Sequence, residues 1–222
     1  MIFHSEDFKK LEALHSIVSK TYHLIKTQNE KGFRIACVCD VSYHQAKKKE
    51  YAIAAAVSCD LKSGSVIEKK VVVSKDPLPY IPGYFFIREL PPIVSVITGM
   101  RRGVDIIFVN GHGVLHPKGS GLAVYVGLFF DKPSVGIAKK LFVGQIAHPD
   151  QSISPIIYGN KILGKMIILK NSGRRYYISP GYKINVEKAA EIVSSTLTKG
   201  IDLMYMAHAM SKNALKKPPS KV

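Results

Sequence analysis

Acidic side chains are scarce in this sequence. Its 222 residues include 16 Asp and Glu against 32 Lys and Arg, a formal charge of +16 with the histidines neutral. So basic a chain points to a polyanionic partner, nucleic acid being the commonest. Cysteine is scarcer still: Cys37, Cys39 and Cys59 make an odd count with no Cys-x-x-Cys pair. That pattern excludes a disulfide framework and lacks the ligand spacing of a structural zinc site. Cys37 and Cys39 lie two apart on an apparent strand, share a face and read as small buried thiols. Long apolar runs are absent as well; none approaches the roughly 20 residues of a membrane-spanning helix. The polar segment Met1 to Lys10, with Glu6 and Asp7, is no secretory signal, so a cytoplasmic protein without membrane contact is expected.

Core-forming residues are plentiful. At 46% hydrophobic the chain is not disordered over most of its length, and a chain of this size fits one open α/β domain. A single domain is expected over residues 1–213, followed by a basic, loose tail at 214–222. The basic residues are scattered: Lys47-Lys48-Lys49, Lys69-Lys70, Arg101-Arg102, Lys139-Lys140, Arg174-Arg175 and Lys216-Lys217. Taken singly, each of these groups reads as a solvated face.

Helical spacing of Phe8, Leu11, Leu14, Ile17, Val18, Tyr22 and Ile25 predicts an amphipathic helix over 6–28, with Ser5 as its cap. Strands follow at 34–43, 51–59 and 65–73, joined by loops short enough to require an antiparallel meander. A Pro-rich stretch at 76–83 leads to a helix over 88–100, with Pro91 and Pro92 tolerable only near its first turn. The apolar run 104–109 reads as a buried parallel strand. A helix at 120–130, a strand at 134–137, a hairpin at 161–169 and 176–179, and helices at 186–199 and 201–213 complete the order. A meander followed by alternating helix and strand predicts an α/β fold, a mixed sheet with helices on both faces.

In so basic a chain, carboxylates placed where core meets loop stand out. Asp40 lies within the run Ile35 to Tyr43, where a buried charge is costly unless hydrogen bonds or a cation compensate it. The other reading is that Asp40 caps the strand end or faces solvent. Glu89 is either a dipole-favoured surface residue in a first helical turn or a site carboxylate. Asn110-Gly111-His112-Gly113 directly follows the buried strand, at the carboxyl end where open α/β sheets collect ligands. Three element ends converging on acidic or amide groups would suit a divalent-metal site for phosphodiester cleavage, where metal neutralises phosphate and activates water. A small-molecule phosphate enzyme is disfavoured, because the 111–113 loop lacks the spacing of either common phosphate-binding fingerprint.

Together these stretches resemble the endonuclease V family. The matching segments are Cys39-Asp40-Val41-Ser42-Tyr43, Tyr80-Ile81-Pro82-Gly83 with Arg88-Glu89, Gly111-His112-Gly113 with His116-Pro117, Gly121-Leu122-Ala123, Val135-Gly136-Ile137-Ala138-Lys139, and Ala207-His208. They occur in the family's order. The resemblance implies a ribonuclease H-like fold and a metal-dependent endonuclease using Mg²⁺, with Mn²⁺ as a substitute. It implies action on inosine-containing DNA or RNA, with a cut at the second phosphodiester bond 3′ to the deaminated base. Asp40, Glu89 and Asn110 would hold metal, with His208 nearby. Tyr80 would be a wedge at the lesion strand. Gly83, Gly111 and Gly121 would line the base pocket, where a missing side chain lets a flipped base approach. Ile81, Pro82, His112, Gly113 and Leu122 would complete the substrate site. His116 and Lys139 would serve the scissile phosphate, where a fixed cation stabilises developing charge. A monomer is expected.

One departure bears on the chemistry: the family normally has Asp where this chain has Asn110. The amide brings a carbonyl oxygen but no charge to a Mg²⁺ site, which draws on one or two carboxylates. A natural variant with a compensating ligand, an impaired relative that still binds nucleic acid, and an engineered substitution all fit. Cys39 also stands where Gly is usual.

Overall fold

Five successive residues of the first strand, 36–40, are buried, because the strand is covered on both faces. The computed structural model describes residues 5–21, 27, 32–46, 48–169, 172–199 and 202–214. Its elements in chain order are α1 (Ser5–Thr21), β1 (Ile35–Ala46), β2 (Lys49–Asp60), β3 (Val66–Lys75), α2 (Phe85–Thr98), β4 (Ile106–Asn110), α3 (Leu122–Phe130) and β5 (Ser134–Ala138). There follow β6 (Gln145–Ile146), β7 (Ile153–Tyr158), β8 (Lys161–Ile168), β9 (Arg175–Tyr182), α4 (Val186–Thr198) and α5 (Leu203–Ala214).

The nine strands form one sheet in the order β3-β2-β1-β4-β5-β9-β8-β7-β6. The expected meander is β1–β2–β3, antiparallel throughout. β4 joins β1 in parallel, β5 joins β4 in parallel, and β9 closes on β5 antiparallel, so the sheet is mixed as anticipated. The β8–β9 hairpin is present. Beyond it lie β6 and β7, which the sequence reading missed: Pro155 inside β7 interrupts the strand signal, and β6 is two residues long.

Alternation along β1 sorts its side chains into two cores. Ala36 and Val38 pack with Ile192 and Val193 of α4 and Leu203, Met204 and Ala207 of α5. Cys37 and Cys39 pack on the other face with Phe86, Ile93 and Val96 of α2 and Leu122 and Val126 of α3, with Leu11 and Val18 of α1 outside them. Both thiols are buried on one face, their sulfurs 3.7 Å apart. α1 already includes the expected cap Ser5 and ends at Thr21, and Thr27 is not helical; residues 22–26 and 28, with Tyr22 and Ile25, lie outside the described residues, as does 215–222 of the expected tail, whose first residue Ala214 is the last of α5.

The proline expectation is corrected. α2 begins at Phe85, so Pro91 and Pro92 fall in its second turn and remove the helical donors for the carbonyls of Ile87 and Arg88. The Tyr43 hydroxyl, 3.4 Å from the Arg88 carbonyl, faces one of the gaps.

Between β4 and α3 the chain packs backbone against backbone. A Cβ at Gly113 would lie 1.8 Å from the Pro180 carbonyl oxygen, and one at Gly121 would lie 2.4 Å from that of His112. Gly113→Ala is expected to destabilise the fold by about 2 kcal/mol through this overpacking. Urea denaturation checks this, and an unchanged midpoint would contradict it.

Candidate functional site

β4 stops at Asn110 while β1 runs on, which leaves a notch at the carboxyl end of β4. Asp40 lies in this notch and is 2% exposed, so the strand-end and solvent-facing readings of it are set aside. Its carboxylate collects three neighbours. Asn110 Nδ2 donates to Oδ1 at 2.6 Å, Ser211 Oγ donates to Oδ2 at 2.7 Å, and His208 Nδ1 lies 3.0 Å from Oδ2. Ser211 also meets Ser42 Oγ at 2.7 Å. His208 and Ser211 are three apart on α5, the spacing that puts two side chains on one helical face.

Glu89 approaches from α2. It is 4% exposed, the fifth residue of its helix rather than a surface residue of the first turn. Tyr43 Oη donates to its Oε1 at 2.8 Å. Burial pushes the Glu89 carboxyl up to about 8, with the charge of Asp40 raising it further and the Tyr43 hydroxyl opposing. Arg88 is fastened at three points: Nη1 donates to the Leu78 carbonyl at 2.9 Å, Nη2 pairs with Glu50 at 2.5 Å, and the guanidinium lies 3.9 Å over the Tyr43 ring. Sequence reasoning quoted Tyr43 and Arg88 within matching segments without giving them a role, and missed Ser211. The offset of three on a strand turns Tyr43 to the face opposite Asp40, and only the fold shows that α2 waits there.

A cavity of about 180 Å³ adjoins the notch through Gly111. Its lining includes Tyr80, Gly83, His112, His116, Leu122 and Phe142. Gly83 holds φ +80°, a conformation that favours glycine. Tyr80 is 61% exposed and its ring meets Phe85 edge-on at 6.2 Å. Ile81 is half-buried and Pro82 exposed beside it, whereas Gly113 is buried in the loop packing already described. Gly121 lines the cavity, but the Cβ it lacks would point at the His112 carbonyl, so close backbone packing is the reason for glycine there.

His116 differs from the expectation of a cation at the scissile phosphate. It is buried in the cavity wall, its Nδ1 accepts from the Lys118 amide at 3.2 Å, and burial pushes its pKa down to about 4, with the neighbouring His15, His112 and Lys118 adding to the effect. It is therefore a neutral imidazole at physiological pH. His15 of α1 stacks on it at 5.9 Å and meets Ser120 Oγ at 2.7 Å and Tyr125 Oη at 2.8 Å, bracing the wall from behind. Lys139 is exposed just after β5, whose Ile137 is paired with Asn110. It alone of the two stands as a cation beside the notch. A larger groove of about 490 Å³, lined by Arg174, Asp202 and Tyr205 among others, contains none of the expected site residues.

Among the described residues no three His, Cys, Asp or Glu side chains form a metal-binding group. The third oxygen donor at the notch is the Asn110 amide. The donors offered by Asp40 and Asn110, and by Glu89 from α2, are oxygens, the kind a hard divalent cation takes before completing its shell with water and phosphate.

The endonuclease V family model matches residues 17–203. An endonuclease V from Thermofilum pendens is 32% identical over 181 residues, 80% of this chain and 76% of that protein. One from Gloeobacter violaceus is 27% identical over 197 residues, 87% of this chain and 80% of that protein. Among solved structures, endonuclease V of Streptomyces avermitilis superimposes with a TM-score of 0.82 at 20% identity, covering 99% of this chain and 96% of that one. Ciona intestinalis endonuclease V, bound to DNA containing an inosine followed by a ribo-adenosine, gives 0.80 at 18% identity, covering 96% and 99%. The ribonuclease H-like expectation for the fold is met, and the chain belongs to the endonuclease V family.

Proposed function

We propose that this protein is a divalent-metal-dependent endonuclease that nicks nucleic acid on the 3′ side of inosine, at the second phosphodiester bond. The observation that carries the reading is the buried Asp40 carboxylate, held by Asn110, Ser211 and His208 beside a cavity that Gly111 helps to line. Asp40, Glu89 and Asn110 would hold Mg²⁺ or Mn²⁺, which when bound neutralises phosphate charge and supplies an activated water. The chain's own groups do the rest. Ser211 and His208 fix the Asp40 carboxylate, Tyr43 fixes that of Glu89, and Lys139 offers a cation to the scissile phosphate. The cavity receives a base turned out of its stack, while the exposed Tyr80 ring fills the gap left behind. DNA and RNA both present such a base, and both are proposed substrates.

The test is a labelled strand with a single inosine, incubated with either metal over a range of protein concentrations. The expected product is one nick at the second bond 3′ of inosine; no nick above background defeats the reading. A lesion-binding protein with feeble cleavage is the second reading, favoured by the Asn110 amide that already satisfies Asp40. Tyr80→Ala is expected to leave thermal stability unchanged and to weaken inosine-strand binding about tenfold, within the range for one stacked base. A lowered melting temperature with undiminished affinity would contradict the wedge role.

A further inference from the structure

β1 outlasts its parallel neighbour. Its pairing with β4 ends at Cys39 and Val109, but its pairing with β2 runs on to Ala46 and Lys49. From Asp40 onward these strands form an arm about 20 Å long at the usual rise per residue. Residues paired directly across antiparallel strands share a face of the sheet. Ser42, His44 and Ala46 therefore accompany Asp40 on β1, Lys49 joins them opposite Ala46, and Lys75 joins them through Tyr51, which pairs with both His44 and Lys75. α5 runs the same way on this face, since Ser211 reaches both Asp40 and Ser42 and the exposed Lys212 comes next.

His44, Lys48, Lys49, Lys75 and Lys212 are exposed. Among the described residues none of these lysines has an ion-pair partner. Glu50 pairs with Gln45 on the opposite face and is tied to Arg88, and Asp76 is the acidic neighbour at the tip. The base cavity lies on the other side of the notch, against α2 and α3. The arm is thus the basic surface across the notch from that cavity, open to a strand whose base enters the cavity and whose cut falls at the carboxylates.

We propose that the α5-facing side of this arm, with Lys49 and Lys75 as its fixed cations, binds the sugar–phosphate backbone of the substrate strand 3′ to the cut. The assignment rests on the inosine-directed reading above.

The test compares inosine-containing single strands of equal 5′ flank carrying about ten or about two nucleotides beyond the cut. Binding is measured by fluorescence anisotropy in EDTA, which keeps the strand whole, over a range of salt. The unaltered protein is expected to bind the long 3′ flank about tenfold more tightly. Lys49→Gln with Lys75→Gln should lose that advantage and flatten the slope of log affinity against log salt by about 1.4, the value for two lost single-strand phosphate contacts. Lys49→Arg with Lys75→Arg should retain it. Arg101→Gln with Arg102→Gln, which removes the same charge at the opposite end of β4, should also retain it. A Gln pair that keeps the long-flank advantage, or a loss shared equally by both Gln pairs, or a loss that follows the 5′ flank, would overturn the assignment. If the unaltered protein shows no preference for inosine over adenosine, the underlying reading fails instead and takes the assignment with it.

Discussion

Asn110→Asp is expected to speed nicking of an inosine-containing strand about a hundredfold in Mg²⁺, and to lower the melting temperature of the metal-free protein. Both effects come from one contact. The Asn110 amide nitrogen donates to Asp40 at 2.6 Å, so an amide hydrogen bond sits where the resemblance leads one to expect a carboxylate. A further negative charge about 4 Å from a divalent cation is worth several kcal/mol at the effective dielectric of such sites, and a hundredfold rate gain requires about 2.7. Without a cation the same carboxylate abuts Asp40, an unpaired repulsion of about 2 kcal/mol that replaces a hydrogen bond. For a chain of this size that corresponds to a melting temperature about 4–8 °C lower. Added Mg²⁺ should restore it in the variant. Equal nicking rates, together with equal responses of melting temperature to Mg²⁺, would show that the amide is a sufficient ligand.

The second large effect is a pH dependence centred on Glu89. In the metal-free protein burial raises this carboxyl to about 8, with the Asp40 charge adding to the rise, whereas an unfolded chain titrates its glutamates near 4.3. Between those values the folded protein holds a proton that the unfolded chain has released. The stabilising contribution is therefore fully present below about pH 4 and is lost as pH rises through 8. At 1.36 kcal/mol per pKa unit the loss is about 5 kcal/mol. Glu89→Gln keeps the neutral side chain at every pH, so its urea midpoint should gain on that of the unaltered protein from pH 5 to about 8 and level off above it. Parallel curves would contradict this. A divalent cation should remove the difference and release about one proton on binding below pH 8.

Much of this architecture was legible in the sequence because its signals are local. The apolar run that holds Asp40 in β1, the wholly apolar β4 and the helical spacing of α1 each name their element within a few residues. Asp40 stood out because a charge in an apolar run needs compensation, and the structure supplies it from Asn110, His208 and Ser211. What compensates it was not legible, since Ser211 lies 171 positions away. Glu89 looked like an ordinary first-turn residue because the start of α2 was placed three residues late, misled by Pro91 and Pro92. Tyr43 gives a physical reason for the tolerance of those prolines, yet its hydroxyl meets α2 only after β1 and α2 have packed. His116 shows the limit of carrying a role across by motif alone: its position in the loop was right, but its burial makes it neutral.

The three-point fastening of Arg88 has a mechanical consequence. One contact is to Glu50 on β2, a second to the ring of Tyr43 on β1, and the third to the Leu78 carbonyl of the segment leading into α2. Glu89 is the next residue along, so its carboxylate takes its position from the β-strands as much as from its own helix. The strand pair and the start of α2 are therefore tied directly to one another through a single guanidinium, one residue from the Glu89 carboxylate.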